Sequence, residues 1–264
     1  MTYKEKARKA RKKVLTMVHA AQTSHIGSCF SSIDILTVLF DKLNIDKRMK
    51  EDRDRFVLSK GWVAASLYYF LSEKGIIPKK DLATFCKGDS KYIGLAEPNV
   101  RGVEFAGGSM GMGLPAGVGF ALAKKLKAEK GRVVVLESDG GMNCGMVWES
   151  LAIAAHHKLD NLTLIIDANG FQAMGTPKEV LNFEPMDRKL RAFGWVVTEI
   201  DGHNYKEIEK ALSVEARNKP HVILARTVKG KGVKKFEGDN LWHYWHVDKP
   251  TYKQAMKDLC STKG

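Results

Sequence analysis

The sequence predicts an α/β chain built on a doubly wound, mostly parallel sheet with helices on both faces. Three observations between Arg132 and Gly170 carry that reading. Val133 to Leu136 is an apolar, β-branched run that leads into Ser138-Asp139-Gly140. Val147, Leu151, Ala154 and Ala155 then recur at helical spacing. A second apolar run, Leu162 to Ile166, leads into Asp167-Ala168-Asn169-Gly170. A strand–helix–strand crossover makes the two strands parallel. Asp139 and Asn169 therefore stand just past two carboxyl ends, on the edge where open α/β sheets bind ligands. A carboxylate and an amide oxygen there suit a hard cation that also holds phosphate oxygens. Gly140 lets the backbone come close to such phosphates.

Composition bounds the rest. The chain has 264 residues, 44% of them hydrophobic, enough for one substantial α/β core or two small ones. No apolar run approaches the length of a membrane span. Cys29, Cys86, Cys144 and Cys260 are scattered, with no CxxC pair. That usage fits a reduced, cytoplasmic protein without a disulfide framework or zinc site. The 43 Lys and Arg outnumber the 30 Asp and Glu, for a net charge of +13. This balance suits nucleic acid, anionic metabolites or a partner chain of opposite charge. The basic residues are spread along the chain without an RNP, helix-turn-helix or finger pattern, so nucleic acid is not expected.

The elements follow in order. A first helix is expected over residues 3 to 22. Its opening KEKARKARKK mimics a transit peptide, but Ala7, Ala10, Val14, Val18 and Ala21 run a helical stripe through it. The charges then read as a solvated basic face. The helix after Ser28 carries Ile33, Leu36, Phe40 and Leu43 as a core stripe. A glycine cluster, Gly107, Gly108, Gly111 and Gly113, precedes a helix expected from Pro115 to Ala128. Beyond Gly170, Trp195 to Ile200 and His221 to Arg226 read as strands, and Asp187 to Phe193 and Tyr205 to Ala216 as helices. Cys144 reads as a small buried apolar side chain, and Trp242, Trp245 and His246 as an aromatic packing cluster.

Asp-Gly after one strand, with Asn thirty residues on after the next, resembles the thiamine-diphosphate motif usually written GDG…N. The neighbouring VWE, AHHKLDNL and NGFQAMG narrow the resemblance to the transketolase family. It extends over nearly the whole chain. AAQTSHIGSCFSSIDILTVLF resembles the family's first active-site loop, DRDRFVLSKG matches it almost residue for residue, KYIGLAEPNVRGVEFAGGSMGMGLP resembles GHPE…PGVE..TGSLGQGL, and RTVKGKGV with a later WH resembles KTVKGKGV…WHG. Four positions depart from the pattern: Trp62 and Leu95 stand where the family has histidines, Ser138 replaces the first Gly of GDG, and Cys144 replaces a Glu of acidic networks that link paired active sites.

The resemblance implies thiamine diphosphate with Mg²⁺ or Ca²⁺ as cofactors. It implies Asp139, Asn169 and the Phe171 carbonyl as metal ligands. Ser28, Gly140, Lys229 and His243 would hold the cofactor, Gly108, Ser109 and Met110 would lie against the aminopyrimidine, and His25 and His243 would be catalytic. It covers only the first domain of a full transketolase, so residues 1–264 are expected to be a single diphosphate-binding domain. The pyrimidine-binding and C-terminal domains would lie on a partner chain, with two copies of each. The implied activity is transfer of a two-carbon ketol unit from a ketose donor to an aldehyde, on a non-standard sugar given Trp62 and Leu95. Two other readings stay open: a non-catalytic assembly or regulatory subunit, and an acyloin-forming synthase using a 2-oxo acid such as pyruvate.

Overall fold

The computed structural model describes residues 1–46 and 48–261; positions 47 and 262–264 of the expected domain lie outside the described residues. Among the described residues five strands form one sheet: β1 (Arg55–Leu58), β2 (Val133–Ser138), β3 (Leu162–Ala168), β4 (Val196–Asp201) and β5 (His221–Arg226). Their order is β1-β2-β3-β5-β4, and every pairing is parallel. The α-helices among the described residues are α1 (Tyr3–Ala21), α2 (Ile26–Lys42), α3 (Ala64–Glu73), α4 (Gly113–Leu126), α5 (Gly145–His156), α6 (Pro177–Val180), α7 (Met186–Ala192), α8 (Tyr205–Leu212) and α9 (Lys249–Ser261).

The strands are apolar on both faces because both are covered. Alternate residues divide between two cores. Val134 and Leu136 of β2 and Ile165 of β3 join the core built with α1, α2 and α3. Val133, Val135, Leu164 and Ile166 join the core built with α4, α5 and α7. Each such side chain contributes about 1.5–3 kcal/mol on burial, so the position of the strand ends is set from above and below the sheet.

Most expected elements fall where the sequence puts them, with four corrections. First, α2 has no simple stripe: every residue from Ile26 to Phe40 is buried, because this helix runs between other layers. Second, α8 stops at Leu212 instead of Ala216. There Ser213 donates its hydroxyl to the Glu209 carbonyl at 2.9 Å, and such side-chain bonds compete with helix continuation. Third, the basic face of α1 is not wholly solvated. Arg11 is buried and forms a two-pronged ion pair with Asp34 of α2, at 2.9 and 2.6 Å. Fourth, of the three residues read as an aromatic cluster only Trp242 is packed, against Phe236, with its indole N–H on the Lys235 carbonyl. Trp245 is exposed and stacks on His246.

Candidate active site

The carboxyl ends of β2 and β3 open into a cleft of about 650 Å³ whose lining includes His25, Ser28, Gly108, Met110, Asp139, Gly140, Asn169, Phe171 and His243. These residues come from five separate stretches of chain. Ser109 is exposed and does not line the cleft, and Lys229 lies just beneath it.

The parallel register sets the inner end, since Ser138 pairs with Asp167 across β2 and β3. Asp139 follows one strand and Asn169 the other. Asp139 accepts the Gly140 N–H and the Gly170 N–H, each at 3.0 Å, one on each carboxylate oxygen. The Asn169 side-chain oxygen accepts the Phe171 N–H at 3.1 Å. These oxygens keep further lone pairs. Burial pushes the Asp139 carboxyl up to about 6, against the opposing pull of Lys60. A desolvated carboxylate of this kind is relieved by a cation. Among the described residues no group of three His, Cys, Asp or Glu is arranged to hold a metal. A cation here would draw on amide, carbonyl and ligand oxygens, the donor set of Mg²⁺ or Ca²⁺. Gly140 has an ordinary φ of −63°, and a Cβ there would make only ordinary contacts, with Gln172 at 3.7 Å and the Ser138 hydroxyl at 3.9 Å. What it supplies is open space in the cleft.

Sequence reasoning missed the polar layer beneath. Lys60 is buried, pairs with the fully buried Asp167 and lies 3.2 Å from the Ser31 hydroxyl. Ser31 donates to Asp167 at 2.7 Å, and Thr227 donates to the other carboxylate oxygen. Nearby, Ser59 donates to the buried Glu137 and accepts the Gly113 N–H at 3.1 Å. Ser59-Lys60 lies inside DRDRFVLSKG, so the signal was present, but no local pattern joins it to Asp167. Gln172 also lines the cleft; its carbonyl accepts from Asn143 at 2.6 Å.

His25 and His243 stand together, with ring centroids 4.7 Å apart and the His25 backbone N–H on the His243 carbonyl at 3.1 Å. His25 takes a left-handed φ of 71° ahead of α2, a cost that tertiary packing must carry. Lys229 is fully buried and donates to Asn240 at 2.6 Å and to His243 Nδ1 at 3.0 Å. With Nδ1 accepting, His243 carries its proton on Nε2. Burial and then the Lys229 charge press His25 down to about 4 and His243 to about 3. Burial and Lys60 lower Lys229 to about 8. Near neutral pH the cleft thus holds two neutral imidazoles beside an ammonium.

The glycine cluster serves packing as well as access. A Cβ on Gly107 would come within 1.8 Å of the Leu58 carbonyl, so only glycine lets this loop cross the end of β1. Gly111, at φ +77°, lies against Cys144, whose Cβ a side chain there would meet at 2.6 Å. Cys144 is half-buried, not buried, and its thiol bonds the Met110 carbonyl at 3.3 Å. Its neighbours at the rim of the cleft leave it partly open to solvent.

The mouth differs in kind. The Trp62 ring stacks on His25 with centroids 4.6 Å apart and 5° between the ring planes, and is 48% exposed. Its far edge reaches within 3.7 Å of a Cβ position on Gly94, and Leu95 packs toward Gly108. Trp62, His25 and Tyr244 also wall a second cavity of about 400 Å³ beside the cleft.

This sheet and cleft define a thiamine-diphosphate-binding fold. Residues 3–259 match the family described as the transketolase, thiamine diphosphate binding domain, and the chain belongs to the transketolase family. An apulose-4-phosphate transketolase subunit of Phocaeicola vulgatus is 36% identical over 263 residues, covering 98% of this chain and 94% of the relative. The 6-deoxy-6-sulfo-D-fructose transketolase subunit SqwG of a Clostridium species is 33% identical over 255 residues, covering 94% of this chain and 93% of the relative. The crystal structure of transketolase from Campylobacter jejuni superposes with a TM-score of 0.92 at 33% identity, over 98% of this chain and 43% of that one. No helix among the described residues is long and apolar enough to cross a membrane.

Proposed function

We propose that this chain is the diphosphate-binding subunit of a two-chain, thiamine-diphosphate-dependent transketolase that moves a two-carbon ketol unit from a non-standard ketose to an aldehyde. The observation that carries this is the convergence of Asp139, Asn169, His25 and His243 on one cleft, with the Lys229 ammonium bonded to His243. Asp139, Asn169 and the Phe171 carbonyl hold Mg²⁺ or Ca²⁺ against the diphosphate. Ser28, Gly140, Lys229 and His243 hold the diphosphate side of the cofactor. Thiamine diphosphate, when bound, supplies the electron sink for carbon–carbon cleavage. His25 and the Nε2–H of His243 hold and move protons at the substrate, as neutral imidazoles at physiological pH. Lys60 also lines the cleft, with its ammonium paired to Asp167.

A partner chain with the pyrimidine-binding and C-terminal domains is expected, in a heterotetramer of two copies each. Trp62, Met110, Met174 and Tyr244 are apolar, exposed and gathered at the mouth, the kind of patch a partner covers. Two similar proteins are themselves named as subunits. The four free cysteines suit a reducing cytoplasm. For the sugar, Trp62 and Leu95 put apolar surface where a histidine pair would bond hydroxyls, and the similar subunits are named for apulose 4-phosphate and a sulfofructose.

Two measurements test this. Stoichiometric thiamine diphosphate in the purified two-chain complex is expected, and its absence would favour a regulatory subunit. Ketol transfer products are expected from ketose donors; products formed only from a 2-oxo acid would favour the acyloin synthase.

A further inference from the structure

The loop that carries Lys229 is held from behind by a buried ionic cluster with no place in the chemistry. Asp34, in the middle of α2, accepts two bonds from Arg11, one from the Tyr205 hydroxyl at 2.8 Å and one from His203 Nδ1 at 2.8 Å. The carboxylate is buried and filled with donors. Arg11 and His203 hold it well below the usual carboxylate range despite its burial. The other nitrogen of His203 accepts the backbone N–H of Val228 at 2.8 Å. Nδ1 must then carry the proton that Asp34 accepts, which fixes the tautomer. Arg11 also donates its Nε to the Lys231 carbonyl at 2.7 Å. Val228 and Lys231 flank Lys229, and Gly230 donates to the Gly27 carbonyl at 2.9 Å. The backbone around Lys229 is thus pinned to α1, α2 and the turn after β4.

Lys229 needs this. Its side chain passes Gly27 with its Cγ only 3.2 Å from where a Cβ would stand. Its ammonium then ends between Asn240 and His243. A shift of the loop would carry the ammonium away from both.

We infer that His203 is a positioning residue for the cofactor cleft, coupling the Arg11–Asp34 pair to the backbone beside Lys229. The inference rests on the proposed cofactor reading for its consequence, though not for the anchor itself. Two substitutions separate the halves of the imidazole. His203→Asn keeps a donor at the Nδ1 position for Asp34 and loses the acceptor for Val228. His203→Gln places an oxygen at the Nε2 position and keeps that acceptor.

The experiment compares both variants in the two-chain complex. Amide hydrogen exchange over residues 227–232, without added cofactor, should speed up in His203→Asn and stay near the parent rate in His203→Gln. Calorimetric affinity for thiamine diphosphate should fall roughly 10-fold in His203→Asn and stay within about twofold in His203→Gln. In a Lys229→Met background, His203→Asn should cost nothing further, since coupled residues are not additive. Unchanged exchange in His203→Asn would overturn the anchor. An equal and additive affinity loss in both variants, tracking a loss of melting temperature, would reduce His203 to a structural part. If the parent complex binds no thiamine diphosphate, the proposed function falls, and the exchange comparison still decides whether His203 holds the loop.

Discussion

The inner end of the cleft and its mouth are built from opposite materials. At the inner end Asp139, Asn169, Lys60 and Lys229 are buried polar groups, each bonded to backbone or to a polar side chain. At the mouth Trp62, Met110 and Tyr244 are about half exposed or more, and Met174 is 86% exposed. Buried charge is costly and persists only with partners, so the inner end is a rigid device for one ligand chemistry. The mouth carries no such cost, and its side chains can change without unsettling the sheet. The contrast explains why the residues matching the transketolase pattern lie inside while Trp62 and Leu95, two of the departures, lie outside. On the proposed reading, cofactor chemistry is retained and donor recognition has moved.

The most severe way to break this contrast is at the inner end. Asp139→Ala should weaken thiamine diphosphate binding roughly 100-fold or more, measured by calorimetry on the assembled complex. Its far-UV circular dichroism should be unchanged, because Asp139 lies past β2 and not within a core. Unchanged affinity would put the site elsewhere.

The mouth is sharpened by restoring what the family pattern has there. Trp62→His with Leu95→His should raise the specificity constant for xylulose 5-phosphate about 10-fold, by giving its hydroxyls partners. Steady-state kinetics on a panel of ketose donors measures this. Trp62→Phe is the control, keeping the ring against His25 and removing the indole N–H. Should xylulose 5-phosphate prove the parent's best donor, the mouth is not where specificity moved.

The contrast also predicts a pH response of the fold. Burial lowers His221 to about 4, and His25 and His243 are depressed as well. An unfolded histidine titrates near 6.5, so between these values the unfolded chain binds more protons. Stability is therefore complete above pH 6.5 and is lost as pH falls toward 4. His221 lies in β5 away from the cleft, bonded to Thr198 at 2.9 Å. Alone it accounts for on the order of 3 kcal/mol of this loss. Denaturant titrations at pH 7 and pH 4.5 should show a shallower pH dependence in His221→Gln. The same slope in both proteins would mean that His221 is protonated without penalty.

Much of the fold was legible because the sheet is buried on both sides. β2 and β3 read as continuous apolar runs, and the spacing from Asp139 to Asn169 survives as a shared sheet edge. The misreadings share a cause. Arg11 lies in a run of basic residues, and nothing local says that it turns inward to Asp34. Lys60, Asp167 and Ser31 meet only after three distant segments pack together. The burial of α2 on all sides depends on helices that precede and follow it. Periodicity reports which face of an element is apolar, and it is silent on which polar groups find one another across the fold.

On the proposed reading this chain holds the diphosphate half of a ketol-transferring site whose other half lies on a second chain. It is tested most directly by reconstitution. The purified chain, a pyrimidine-domain chain from the same organism, and a one-to-one mixture are each assayed for ketol transfer with thiamine diphosphate and Mg²⁺. Activity is expected in the mixture alone. Ketol transfer by this chain without a second protein would contradict the claim, as would an assembled mixture that binds no thiamine diphosphate.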